Sequence, residues 1–294
     1  MIGPSYLRPA VPMSGLRFSI ITPSYRPGPW LRLCVASVAD QAVAVEHIVQ
    51  DAGSDDETLD WLRQEPRIQL YVEPDQGMYD AINRGLRRAT GDICAWLNAD
   101  EQYLPGALAA VAACFEAHPG VGVVFGDVIM VDGRGRYLFH RKVQPPWLHH
   151  TWTCHLTTYS CGMFFRRHLV DPGGFWLDPT WRYGGDGEWM VRLLRAGVPM
   201  IALGRFTSVF TWTGTNLSRQ AAARAEWLRL RRSAPLWMRV LSPLWVLTHR
   251  VRRWWHGSYR QEPFSFAIYT LESPHQRQVQ SVTRPVGHWR EPAP

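Results

Sequence analysis

"EPDQGMYDAINRGLRRATGDICAWLNADE", Glu73 to Glu101, decides the fold class. MYDAINRGLRRATG (78–91) predicts a helix ended by Gly91, and DICAWLNAD (92–100) predicts a buried strand. That strand runs through apolar residues and then presents Asn98, Asp100 and Glu101. Such an ending is unusual as plain structure. It is either an acidic turn or a site for a cation.

Reading outward from this stretch, the same alternation recurs. RFSIITPS (17–24), VEHIVQDAG (45–53) and IQLYVEP (68–74) predict strands, and GVVFGDVIMVD (122–132) a further one. PWLRLCVASVADQ (29–41), DDETLDWLRQ (55–64) and PGALAAVAACFEAHP (105–119) predict helices between them. Strands separated by helices of this length imply crossover units and a mostly parallel sheet in an α/β domain. Ligands of such sheets bind beyond the carboxyl ends of the strands. Asp51, Asp75 and Asp100 all fall there, just past three strands. Each alone reads as a turn or cap residue, as Asp55 or Asp56 does for the second helix. Their joint placement favours a site.

Composition narrows the classes. The 294 residues are 46 % apolar and 19 % charged, enough for a large core and unlike a disordered chain. The five cysteines, Cys34, Cys94, Cys114, Cys154 and Cys161, form no C-x-x-C pair and suit a reducing compartment. The net charge of +7 comes almost wholly from arginine, Lys142 being the only lysine. MIGPSYLRPAVPMSG lacks the pattern of a secretory signal, and no run reaches the roughly 18 apolar residues of a spanning helix. No G-x-x-x-x-G-K-[ST] occurs, which disfavours a P-loop nucleotide hydrolase.

The motifs, taken in order, resemble glycosyltransferase family two, with its GT-A nucleotide-sugar-binding fold. SIITPSYRPGPWLRLCVASVADQ is similar to the family's opening strand and helix, and IVQDAGSDDET to its D-x-G-S-x-D-x-T segment. The quoted stretch resembles a branch that works on bacterial surface polysaccharides. The likeness covers Phe18 to Ser218. It implies that Thr22, Pro23 and Tyr25 wall the nucleotide and that Asp51 accepts hydrogen bonds from base or ribose. It puts Asp75 beside the donor sugar, with Asp80 and Asn83 on the next helix near it. Asp80 reads equally as a cap. One of Arg84, Arg87 and Arg88 is a candidate for the diphosphate, a solvated face being the alternative.

LNADE stands at the family's D-x-D position, which implies Mg²⁺ or Mn²⁺ bridging the donor diphosphate. Asn98 replaces the first aspartate, so Asp100 is the implied metal ligand, with Asn98 offering one neutral oxygen. GGFWLDPTWRYGGDGEWMVRLLRAG (173–197) resembles the segment that carries the catalytic base, which maps onto Asp186 with Glu188 as a rival. A pure N-cap is the alternative. His155, Thr215 and Ser218 are implied contacts to acceptor or diphosphate, Gly214 lying beside the last two. The chemistry so implied is a single displacement at the anomeric carbon with inversion.

Four segments are expected: a flexible leader over 1–16, the GT-A domain over 17–218, an Arg/Trp-rich helical extension over 219–260, and a partly disordered tail over 261–294. Glu226 is the only acidic residue in the extension, and Pro235 and Pro243 break it into short helices. Arginine interleaved with tryptophan suits an anionic headgroup region. Solvated helices packed on the domain are the alternative. The expected partners are a nucleotide-diphosphate sugar and a lipid-linked glycan acceptor, at the cytoplasmic face of the inner membrane. A non-catalytic scaffold, or a nucleic-acid-binding protein acting through the basic extension, are the competing classes.

Overall fold

The structure, a computed structural model, describes residues 15–54, 57–213 and 221–287. Asp55 and Asp56 lie outside them, as does most of the expected leader. Strand and helix alternate as the sequence predicts: β1 (Phe18–Ser24), α1 (Leu31–Ala39), β2 (Val45–Asp51), α2 (Thr58–Gln64), β3 (Gln69–Val72), α3 (Met78–Arg88) and β4 (Ile93–Trp96). β1 pairs in parallel with both β2 and β4, and β2 with β3, giving the order β3-β2-β1-β4. β1 is covered on both faces, so its sequence is a near-continuous apolar run instead of an alternating one.

The rest of the sheet is mixed. β5 (Glu101–Tyr103), α4 (Ala107–Ala117), β6 (Val123–Asp132), β7 (Tyr137–Arg141), α5 (Leu148–Thr153), β8 (Met163–Arg166), α6 (Gly185–Arg195) and β9 (Met200–Trp212) follow. The order continues β4-β8-β6-β9-β5, with β7 on β6. β8 runs antiparallel to β4 and β6, while β6 and β9 are parallel. The strand expected over 92–100 therefore stops at Trp96. Glu101 starts β5 on the opposite side of the sheet, against β9. Leu97–Asp100 is the crossing between them, which frees Asn98 and Asp100 from the ladder.

Helices α3 and α6 cover one face, where Tyr79, Ile82 and Leu86 meet Trp96, Phe165 and Trp189. The Trp189 ring lies 5.8 Å from Trp96 and 5.0 Å from Phe165, both edge-on. α1 and α4 cover the other face through Cys34, Val38, Leu108, Val111 and Phe115. Gly85 lets α3 settle onto β1, because a Cβ there would meet the Ile21 side chain at 2.6 Å. This close seat fixes the N-terminal end of α3, and with it Tyr79, over the strand ends.

The extension folds into α7 (Ala221–Ser233), α8 (Leu236–Val240) and α9 (Ser242–Trp255), with Pro235 ahead of α8 and Pro243 in the first turn of α9. The expectation of a partly disordered tail is corrected over 264–282. Here β10 (Phe264–Thr270) and β11 (Ser273–Val282) form an antiparallel hairpin. Phe266, Ile268 and Val282 pack on Leu104, Ile129 and Val209 of the main domain. Gln102 exchanges two 3.0 Å hydrogen bonds with the Tyr269 backbone, and Arg277 grips Asp40 at 2.6 and 2.8 Å. The hairpin carries no functional motif, and it is held by burial.

Candidate active site

The carboxyl ends of the parallel strands open into a cavity of about 1010 Å³. Its wall includes Pro23 from β1 and Tyr25 just after it, Asp75 from the turn after β3, Asn98 and Asp100 from the crossing, and Asp186 from the start of α6. Asp75 Oδ1 accepts a 2.8 Å bond from the Gly77 amide. Gly77 has φ +115°, and a Cβ there would overlap the Arg182 guanidinium. The turn thus needs glycine both for its backbone and for the arginine beside it.

The crossing and the first residue of β5 hold two acids and an amide in little water. Burial raises both the Asp100 and the Glu101 carboxyls, and the Asp100 charge raises Glu101 further. Glu101 is fully buried and accepts from the Asn98 amide at 2.8 Å, so it braces the crossing from beneath. Asn98 Oδ1 is a buried carbonyl oxygen with no hydrogen-bond partner among the described residues. Beside an acid whose charge is held down by burial, such an orphaned acceptor fits a hard divalent cation. Among the described residues no group of three or more His, Cys, Asp and Glu side chains is arranged to hold a metal ion. Asn98 and Asp100 can therefore supply only part of a coordination sphere.

Asp186 sits in the first turn of α6, where the helix dipole favours its charged form. Burial opposes that and wins, pushing its carboxyl up to about 6. Its Oδ1 accepts from the Gly187 amide at 2.8 Å and lies 3.5 Å from the Tyr79 hydroxyl. That hydroxyl also accepts from the Asp186 amide at 3.2 Å. Tyr79 thereby ties α3 to the start of α6.

Several residues singled out in the sequence are placed elsewhere. Thr22 is fully buried against His47 at 2.8 Å. Asp51 is also fully buried, accepting from Ser24, Gly53 and Ser54, and so shapes the turn whose Ala52 lines the cavity. Asp80 accepts from the Gln76 amide at 3.0 Å and from Arg84, as a helix-start residue does. Asn83 clamps the Leu177 backbone with bonds of 2.7 and 3.1 Å. Glu188 is held in two bonds by Arg192 at 2.8 and 3.0 Å, which turns it from the cavity. Arg84 and Arg88 pair with Glu73, and Arg87 lies over Trp176. His155 packs edge-on to His150 at 4.6 Å, in a buried cluster with His249. Gly214, Thr215 and Ser218 lie outside the described residues.

The family model for Glycosyl transferase family 2 matches residues 19–171, more than half of the chain. The chain belongs to this family. Over 125 residues it is 39 % identical to a PGL/p-HBAD biosynthesis glycosyltransferase of Mycobacterium bovis, a match covering 40 % of this chain and 49 % of that protein. The chain spans about half the length of the mycobacterial relatives it matches. An uncharacterized glycosyltransferase of Nostoc is 26 % identical over 58 % of each chain. Among solved structures, S. aureus TarS 1-349 in complex with UDP-GlcNAc superposes with a TM-score of 0.58 at 16 % identity, over 73 % of this chain and 64 % of that one. The mannosyltransferase PcManGT from Pyrobaculum calidifontis, in complex with GDP-Man and Mn²⁺, gives 0.56 at 21 % identity, over 78 % and 66 %. Both are likenesses of fold.

In this family 2 glycosyltransferase the cavity also gathers residues to which the sequence had assigned no role. Among the described residues the cavity's cations are Arg26, Arg141 and Arg182, not the arginines of α3. Arg26 has φ +45°, the one non-glycine with positive φ among the described residues, at the cavity rim. Glu226 of α7 accepts the amides of Arg182, Tyr183 and Gly184, each at 2.8 Å. Trp227 beside it lines the cavity. The lone acid of the basic extension therefore anchors the loop that leads into Asp186. Its isolation in the charge pattern was the available signal. Glu226→Ala leaves three amides to weak hydration, at about 1 kcal/mol each when fully lost. The expected outcome is a fall in turnover of about tenfold, a lowered Tm and an unchanged donor Kd, checked by kinetics, thermal denaturation and calorimetry.

Proposed function

We propose that this chain moves a sugar from a nucleotide-diphosphate sugar to a hydroxyl of a lipid-linked glycan, with inversion, in surface polysaccharide synthesis. The observation that carries the reading is convergence. Asn98 and Asp100, beyond β4, face the same cavity as Asp186, which lies far along the chain. Its volume of about 1010 Å³ suits a nucleotide sugar together with an acceptor hydroxyl. The complexes of the fold relatives with UDP-GlcNAc, and with GDP-Man and Mn²⁺, lend support. So do the mycobacterial relatives, named for PGL/p-HBAD biosynthesis.

In this reading Pro23 and Tyr25 flank the base, and Asp51 holds the turn beneath it. Asp100 and Asn98 Oδ1 would hold Mg²⁺ or Mn²⁺, which supplies charge neutralisation at the diphosphate when bound. Arg26 and Arg182, both on the cavity wall, pair with phosphate oxygens. Asp75 orients the donor sugar from its Gly77-anchored turn. Asp186 takes the acceptor's proton as the new bond forms. Among the described residues the carboxylates on the cavity wall are Asp75, Asp100 and Asp186. With Asp100 assigned to the cation and Asp75 to the donor sugar, Asp186 is left as the base, which is what the single displacement implied by the family resemblance needs.

The test is nucleotide release from UDP-, GDP- and dTDP-sugars, with Mn²⁺ or Mg²⁺ and with EDTA, using bacterial lipid extract as acceptor. Release from one donor, lost in EDTA, is the expected result. Donor binding to none of the panel would overturn the reading.

A further inference from the structure

The outermost helix of the chain is amphipathic in the wrong sense for water. On α9 the buried residues are Ser242, His249 and Arg253. At about 100° per residue these three share one side. Leu244, Leu247, Val251, Trp254 and Trp255 fall on the opposite side, and they are exposed by 44, 57, 54, 67 and 78 %. The polar side is the docked one: Arg253 donates to the Lys142 carbonyl at 3.2 Å, Arg252 to the Pro145 carbonyl at 2.8 Å, and His249 stacks on His150 at 4.4 Å. The apolar side is turned outward.

α8 extends the same surface. Its Leu236, Trp237 and Val240, and Leu241 after it, are exposed by 67, 51, 67 and 39 %, while Met238 faces inward. Large apolar side chains exposed together on two successive helices mark an interaction surface. Its charge identifies the occupant. Arg231, Arg232, Arg250 and Arg260 are exposed around it, and Glu226, the only acid of 219–260, is engaged with the loop before α6. A protein partner would need a matching apolar groove and acids together. A bilayer offers hydrocarbon under a sheet of anionic headgroups, which is what leucine and tryptophan ringed by arginine fit. Among the described residues no helix is long and apolar enough to cross a membrane.

We propose that α8 and α9 seat this protein on an anionic lipid bilayer, with Leu236, Val240, Leu247, Val251, Trp254 and Trp255 entering the headgroup boundary. The inference deepens the reading of a lipid-linked acceptor and places it: α7, which carries the cavity-lining Trp227 and the Glu226 clamp, leads directly into the seated helices. The docked face sets the height of the cavity above the lipid.

The experiment is co-sedimentation of the full chain with phosphatidylglycerol-containing vesicles and with pure phosphatidylcholine vesicles, at low and high salt, without donor. Binding to the anionic vesicles alone, weakened by salt, is expected. Leu247→Glu with Trp254→Glu should cut the bound fraction at least tenfold with an unchanged circular dichroism spectrum, since both side chains touch solvent. Arg250→Glu should lower binding and its salt dependence. No sedimentation of the parent chain, or equal binding by the double variant, overturns the proposal. So does a vesicle-free dimer that the double variant disperses, which would assign the face to a second copy. Because no sugar is present, vesicle binding can fail while nucleotide release survives, and the reverse.

Discussion

Asp186→Asn is expected to lower transfer by about 10³-fold while donor binding stays intact, since a positioned base contributes about 10²–10⁴-fold. The asparagine keeps an oxygen for the Gly187 amide and the Tyr79 hydroxyl, so the start of α6 is preserved. What it removes is the capacity to take a proton. The same carboxyl sets a pH signature. Its value is raised to about 6, so the rate should fall as pH drops through about 6 and level off above it. Stability moves in the opposite sense. A carboxyl whose folded value lies above its unfolded one stabilises the fold when protonated, and that contribution is lost as pH rises through the folded value. The variant should therefore melt above the parent chain at pH 8, and the gap should close towards pH 4. Thermal denaturation at the two pH values, beside a pH–rate profile, checks both signs. A variant with near-parent turnover would remove Asp186 from the role of base.

Asp100→Ala should remove metal-dependent donor binding and lower turnover by about 10³-fold, because neutralising a leaving diphosphate is worth several kcal/mol. The crossing itself should survive, since Glu101 and the Asn98 amide hold it from beneath. Burial raises the Asp100 carboxyl to about 6, so below that pH a cation must displace a proton to bind there. Apparent metal affinity should accordingly rise with pH in the parent chain and lose that dependence in the variant. Calorimetry of Mn²⁺ binding with nucleoside diphosphate present reads this directly. Metal affinity equal in both chains would take Asp100 out of the coordination sphere.

Much of the fold was legible because its signals are local. Apolar runs alternating with helical patterns up to residue 132 gave the units that the structure shows, with boundaries within a few residues. The exception is informative. The strand read as 92–100 ends at Trp96, since the next three residues that pair do so with β9 across the sheet. Nothing in LNADE distinguishes a strand's last residues from a crossing between two strands. The tail was misread for a related reason. FSFAIYT has strand-like residues, but its hairpin owes its order to Leu104, Ile129 and Val209, which are remote in sequence.

The site divides in the same way. Asp100, Asp75 and Asp186 announced themselves through residue type and motif order, and all three reach the cavity. Thr22, Asn83 and Glu188 did so as well, yet packing spends their polar atoms on His47, Leu177 and Arg192. Arg182 and Glu226 carried no motif and were found only where the chain brought them together.

The sequence by itself thus determined the family, the order of strands and helices and the identity of the acids, because periodicity and motif spacing are properties of neighbouring residues. The tertiary structure alone decided which polar atoms stay available. It also turned the apolar side of α9 outward, because docking Arg252, Arg253 and His249 against the domain fixes which face is left for solvent or lipid.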